Sequence, residues 1–153
     1  MSHRRALAAR LGLTSREREI FARLRTPERI QDFVSALSAN FERRGGTCLS
    51  VRETLRARHA HCIEAGFVAA LALWLNGEQP LLMDFQASPE DDDHVVAVFR
   101  RGRCWGAISK SNHVWLRWRD PVYRSLRELA RSYFHEYTRS DRKTLRACSR
   151  TMN

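Results

Sequence analysis

Apolar residues recur at helical spacing through the first forty positions and again near the C-terminus, whereas residues 81–118 alternate or run apolar in short bursts. The two periods, 3.6 and 2, separate helix from strand. Residues 1–25 read as helical and very basic, with Thr14 and Glu17 spaced as a capping box ahead of Ile20, Phe21 and Leu24. Thr26 and Pro27 restart the chain as N-cap and first helical residue. Ile30, Phe33, Val34, Leu37 and Phe41 then form one stripe, which Gly45 and Gly46 should end. A second capping box, Ser50 with Glu53, predicts a turn or two of helix over 51–58. Residues 62–75 are apolar nearly all round and stop at Asn76 and Gly77, as befits a helix buried on every side.

After Gly77 the period changes. Residues 80–87 read as a strand, 88–93 as an acidic loop, and 94–99 and 104–108 as two strands joined through a glycine-containing turn at 100–103. Val114–Trp118 alternates apolar with polar and predicts a further strand, broken by Pro121. A final amphipathic helix over about 122–137 carries Leu126, Leu129, Tyr133, Phe134 and Tyr137, and the polar, basic residues 138–153 should fray. The predicted class is α+β: N-terminal helices and a buried central helix packed on an antiparallel sheet, closed by a C-terminal helix. At 153 residues the chain fits one domain, with a core over about 27–137, a basic helical extension at 1–25 and the tail at 138–153.

Composition changes this picture little. No apolar stretch is long enough to span a membrane, and no signal core follows the basic N-terminus, so the expected location is the cytoplasm. Cys48, Cys62, Cys104 and Cys148 show no paired spacing and are expected to be reduced thiols. The net charge of +10 comes from arginines scattered from Arg4 to Arg150, with only Lys110 and Lys143 as lysines. That predicts weak, non-specific, salt-sensitive adhesion to nucleic acid rather than specific recognition, since no nucleic-acid-binding signature accompanies it. His59, His61 and Cys62 crowd together, but a zinc site needs a second cluster that the chain lacks, so no metal or cofactor is expected.

The sharpest chemistry begins at Cys62. A cysteine on the first turn of a buried helix faces the positive end of the backbone dipole, which favours the thiolate. His94 opens the strand at 94–99, and if Arg101 and Gly102 formed the hairpin turn, His94 would face Ser109 on the neighbouring strand. Ser109, or Asn112 if the strand bends, could then hold the imidazole. Asp93 should point to the opposite face.

The chain reads Cys62-Ile-Glu-Ala-Gly-Phe-Val-Ala-Ala-Leu-Ala-Leu-Trp-Leu-Asn-Gly, then Asp93-His94-Val-Val-Ala-Val, then Gly102-Arg-Cys-Trp105. In that order it resembles the transglutaminase-like superfamily of papain-like cysteine enzymes over roughly residues 27–118. The resemblance implies a thiol hydrolase or acyltransferase acting on an amide or peptide bond of a protein or peptide substrate. Cys62 would be the nucleophile, His94 the proton shuttle, and Ser109 or Asn112 the orienting group. Where the family places an aspartate after its tryptophan, this chain has Gly106-Ala-Ile-Ser109-Lys-Ser-Asn112. A hydroxyl or amide can orient a histidine but does not stabilise imidazolium as a carboxylate does. The competing expectation is a catalytically inactive module of the same fold that holds a protein or nucleic-acid partner on a basic, aromatic surface. On that view Cys62 is a small core residue, and His94 and Ser109 are ordinary strand-end residues.

Overall fold

The computed structural model describes residues 2–41, 47–139 and 142–152. Helices α1 (His3–Arg10), α2 (Ser15–Arg23) and α3 (Pro27–Ala36) lead into a two-residue strand β1 (Ser38–Ala39). Helix α4 (Val51–Ala57) follows, then β2 (His59–Ala60) and the long α5 (Cys62–Leu75). The remainder is β3 (Leu81–Ala87), β4 (His94–Arg101), β5 (Cys104–Ile108), a 3-10 turn (Val114–Leu116), β6 (Arg119–Tyr123), α6 (Leu126–Phe134), β7 (Thr138–Arg139), β8 (Arg142–Lys143) and β9 (Leu145–Met152). Five strands form one antiparallel sheet in the order β6-β5-β4-β3-β9, so the fold is α+β.

Local chemistry sets the helix boundaries. Both capping boxes form: Thr14 Oγ1 accepts from Glu17 N while Glu17 Oε2 accepts from Thr14 N, and Ser50 and Glu53 repeat the exchange. Thr26 caps α3 with Pro27 at its first position. That helix is shorter than its apolar stripe, ending at Ala36, because β1 pairs in parallel with β2 and draws the chain out into an extended form. Phe41, placed on the stripe by spacing, is 80% exposed. The glycine stop expected at Gly45 and Gly46 lies outside the described residues.

The core has two layers, one on each face of the sheet. On one face α5 buries Ala65, Val68, Ala69, Ala72 and Leu73 against Leu82, Val95, Ala97, Phe99 and Ile108. Gly66 lets the helix approach closely, since a β-carbon there would lie 3.3 Å from both Leu82 and Val95 side-chain atoms. The first two helices join this layer through Leu7, Ala8, Leu13, Phe21 and Leu24. On the other face α6 covers Met83, Phe85, Val96, Val98 and Ala107 with Leu129 and Tyr133.

Four sequence expectations change. Val114–Leu116 is a 3-10 turn and not a strand, leaving Trp115 half exposed against His113 while Trp118 tucks onto Phe99. Pro121 sits inside β6, which an edge strand tolerates because one of its sides has no ladder to complete. The closing helix is trimmed to Leu126–Phe134. Finally, the tail does not fray: β9 pairs with β3 from Leu81↔Met152 to Ala87↔Leu145.

Candidate functional site

Cys62 is the first residue of α5, and a buried carboxylate fixes that end of the helix. Glu64, fully inaccessible, accepts from His61 N at 2.7 Å, from Leu49 N at 2.9 Å and from Asn40 Nδ2 at 3.4 Å. One side chain therefore satisfies a helix-start amide and ties in the preceding loop. The Cys62 thiol lies 3.9 Å from Asp93 O, and the Val95 amide points at the sulfur. The sulfur is thus held against the backbone on either side of His94.

Its electrostatics differ from the sequence expectation. Burial pushes the Cys62 thiol above its usual pKa, and the Asp84 carboxylate adds to that. The N–H groups of Val95, Ile63 and Cys62 itself pull the other way without prevailing. The helix end is present, but desolvating a thiolate outweighs it, so the resting group is the thiol.

His94 opens β4 as expected, and the hairpin register moves it by two places relative to β5. The turn uses Gly102 and Arg103, with Gly102 at φ +58° in the first turn position, so Arg101 pairs with Cys104 and Ala97 with Ile108. A shift of two residues keeps every side chain on its face. His94 still shares a face with Ser109 and reaches it diagonally, Nε2 to Oγ, at 2.7 Å. Leu116 O lies 3.0 Å from the same Nε2 and 3.0 Å from Ser109 Oγ.

This triangle assigns the tautomer. Leu116 O can only accept, and the single serine proton goes to it, so Nε2 must carry the imidazole hydrogen. Nδ1 then holds the lone pair. The ring is only 4% exposed, between Phe85 and Tyr133. Burial depresses its pKa from 6.5 to about 4, and Arg119 and His113 add to the depression while Leu116 O opposes it. Among the described residues no hydrogen bond joins Cys62 to His94.

Ser109 is itself clamped by a residue the sequence did not single out. Gln31 Nε2 donates to Ser109 O at 2.8 Å and Gln31 Oε1 accepts from Ser109 N at 2.9 Å, as a strand partner would. The available signal was a glutamine beside Ile30 on the apolar stripe of α3, a polar group that burial obliges to find partners. Asn112 is exposed on the loop leading to the 3-10 turn, and the two groups bound to His94 Nε2 are Ser109 and Leu116. Asp93 turns away as its alternation requires, its Oδ1 accepting from Ala87 N at 2.7 Å.

Cys62 and His94 line one cleft of about 710 Å³, together with Asp93, Asn112, Trp115 and Tyr137. Among the described residues no three His, Cys, Asp or Glu side chains gather as a metal-holding group, so His59, His61 and Cys62 are not arranged as one. No helix among them is long and apolar enough to cross a membrane. No family model matches the chain, and no curated protein matches it as a relative.

Proposed function

We propose that the cleft is a thiol acyl-transfer site of transglutaminase-like type, acting on an amide or peptide carbonyl. The observation that carries this reading is the lone pair on His94 Nδ1, left available by the Ser109–Leu116 triangle, in the same cleft as a cysteine on a helix start. Both groups rest neutral, so the chemistry runs by general base rather than from a preformed ion pair. Nδ1 takes the proton from Cys62 as the sulfur attacks the carbonyl carbon. The same proton then goes to the leaving amine, and water or a second amine resolves the thioester.

A second reading, a binding module without catalysis, draws its support from the absence, among the described residues, of any carboxylate on His94 Nε2, which leaves imidazolium without its usual stabiliser. Iodoacetamide labelling of each cysteine against pH separates the two. A catalytic site labels Cys62 ahead of Cys48, Cys104 and Cys148 at a rate nearly flat from about pH 5 to 8, because His94 is already the free base above about pH 4. In His94→Ala that rate drops and follows ordinary thiol ionisation. Slow, unselective labelling in the wild type would favour the binding module.

A further inference from the structure

Tyr137 lines the same cleft, three residues beyond the end of α6, and its backbone carbonyl is fixed by Thr144 N at 3.0 Å. The residue is 2% exposed, yet among the described residues its buried hydroxyl has no hydrogen-bond partner. Leaving such a group unmade costs about 1–3 kcal/mol, so an orphan hydroxyl in a cleft asks for a partner that arrives later. Burial first, then the charge that Cys62 would carry, then Asp91, Asp93 and Asp84, all push the phenol toward its protonated form, making it a donor at every physiological pH. The Cys62 sulfur lines the same cleft, and no hydrogen bond joins it to Tyr137. An acyl oxygen held in the cleft on the Cys62 sulfur is the kind of acceptor that such a donor lacks.

We infer that Tyr137 is a further catalytic residue, whose hydroxyl donates to the oxyanion formed when Cys62 attacks a carbonyl. The inference rests on the acyl-transfer reading above. In the step concerned the sulfur lone pair forms the C–S bond, the carbonyl π pair moves onto oxygen, and His94 Nδ1 receives the thiol proton. Tyr137 O–H meets the new negative charge in a site shielded from water, together with the amides at the start of α5. Collapse returns the pair to the C=O bond and expels the leaving group with its electrons.

The test compares two reactions of the same sulfur in wild type and Tyr137→Phe. Acylation by p-nitrophenyl acetate passes through an oxyanion and releases p-nitrophenolate, whereas alkylation by iodoacetamide displaces iodide with no oxyanion at all. The variant is expected to lose on the order of 100-fold in acylation rate while its alkylation of Cys62 stays within about twofold and its melting temperature stays level or rises, because the unpaired buried hydroxyl loses no bond and its cost is relieved. Acylation at the wild-type rate with alkylation intact would overturn the role of Tyr137 and leave the thiol reading standing. Equal loss in both reactions would also overturn it, showing a structural effect on Cys62. If wild-type Cys62 alkylates no faster than the other cysteines, the thiol reading itself falls and the role of Tyr137 falls with it.

Discussion

Acidification should weaken this protein through His94 before its carboxylates respond. The imidazole is neutral in the fold, with its pKa depressed from 6.5 to about 4, while in the unfolded chain it titrates at its ordinary value. Between those values the unfolded state binds the extra proton, so stability is complete above about pH 6.5, falls as pH drops toward 4, and levels off below. At 1.36 kcal/mol per unit the shift has a ceiling of about 3.4 kcal/mol, and moving from pH 7.5 to 4.5 removes about 2.5 kcal/mol of it. Glu17, held down to about 2 chiefly by its bond with Arg52, gives up its stabilising contribution as pH falls from its ordinary value of 4.5 toward 2, so its loss begins only at the acid end of this window. Asp84, which burial raises, works against that loss as it protonates, so the difference between wild type and a variant without the imidazole isolates His94. Urea unfolding followed by circular dichroism reads it: with a slope of about 2 kcal/mol/M, the midpoint should fall by about 1.2 M. His94→Gln keeps an amide donor for Ser109 and Leu116 but has no proton to bind, so its midpoint should stay nearly level over the same window. Midpoints falling in parallel in the two proteins would refute the argument.

Gly106→Ala should destabilise by about 2–3 kcal/mol, lowering the melting temperature by roughly 6–10 °C. A β-carbon there would stand 2.5 Å from the Phe99 ring and 2.8 Å from the backbone oxygen of Arg119, and the latter cannot move without breaking β5 from β6. A variant that melts with the wild type would show that the β6 edge is looser than described. Gln31→Leu should cost about 2–4 kcal/mol in urea unfolding, because it strands both backbone groups of Ser109. If Cys62 is the nucleophile, its alkylation should slow in that variant as the His94 ring loses its register, and normal alkylation would detach Ser109 from the chemistry.

Much of the fold was legible because local and tertiary preferences agree. Thr14, Thr26 and Ser50 mark helix starts by side-chain chemistry that needs nothing distant, and the apolar run after Cys62 admits only a buried helix. Elements whose identity depends on a distant partner were not legible. Residues 145–152 carry too little apolar pattern to declare a strand, and become one because β3 offers an open edge. Phe41 belongs to the stripe of α3 by spacing alone, yet the pairing of β1 with β2 ends that helix five residues earlier. Pro121 marked a break correctly for a central strand but not for an edge.

The candidate site divides along the same line. Pairing His94 with Ser109 needed only the parity of the hairpin, and parity survives a turn placed one residue off, because such an error slides the register by two. The state of the sulfur needed something parity cannot supply, namely how much water the helix end retains. Cys62 has the dipole and three amides, and still its thiol is pushed up, because the strand that brings the Val95 amide to the sulfur also closes it off from solvent. A nucleophile in that position cannot rely on standing as a thiolate. In the acyl-transfer proposal it depends on a neighbouring base whose own pKa is low enough to stay free, and burial between Phe85 and Tyr133 brings His94 down to about 4. Under the acyl-transfer proposal, the two shifts together favour a mechanism in which the proton moves only as the carbonyl is attacked.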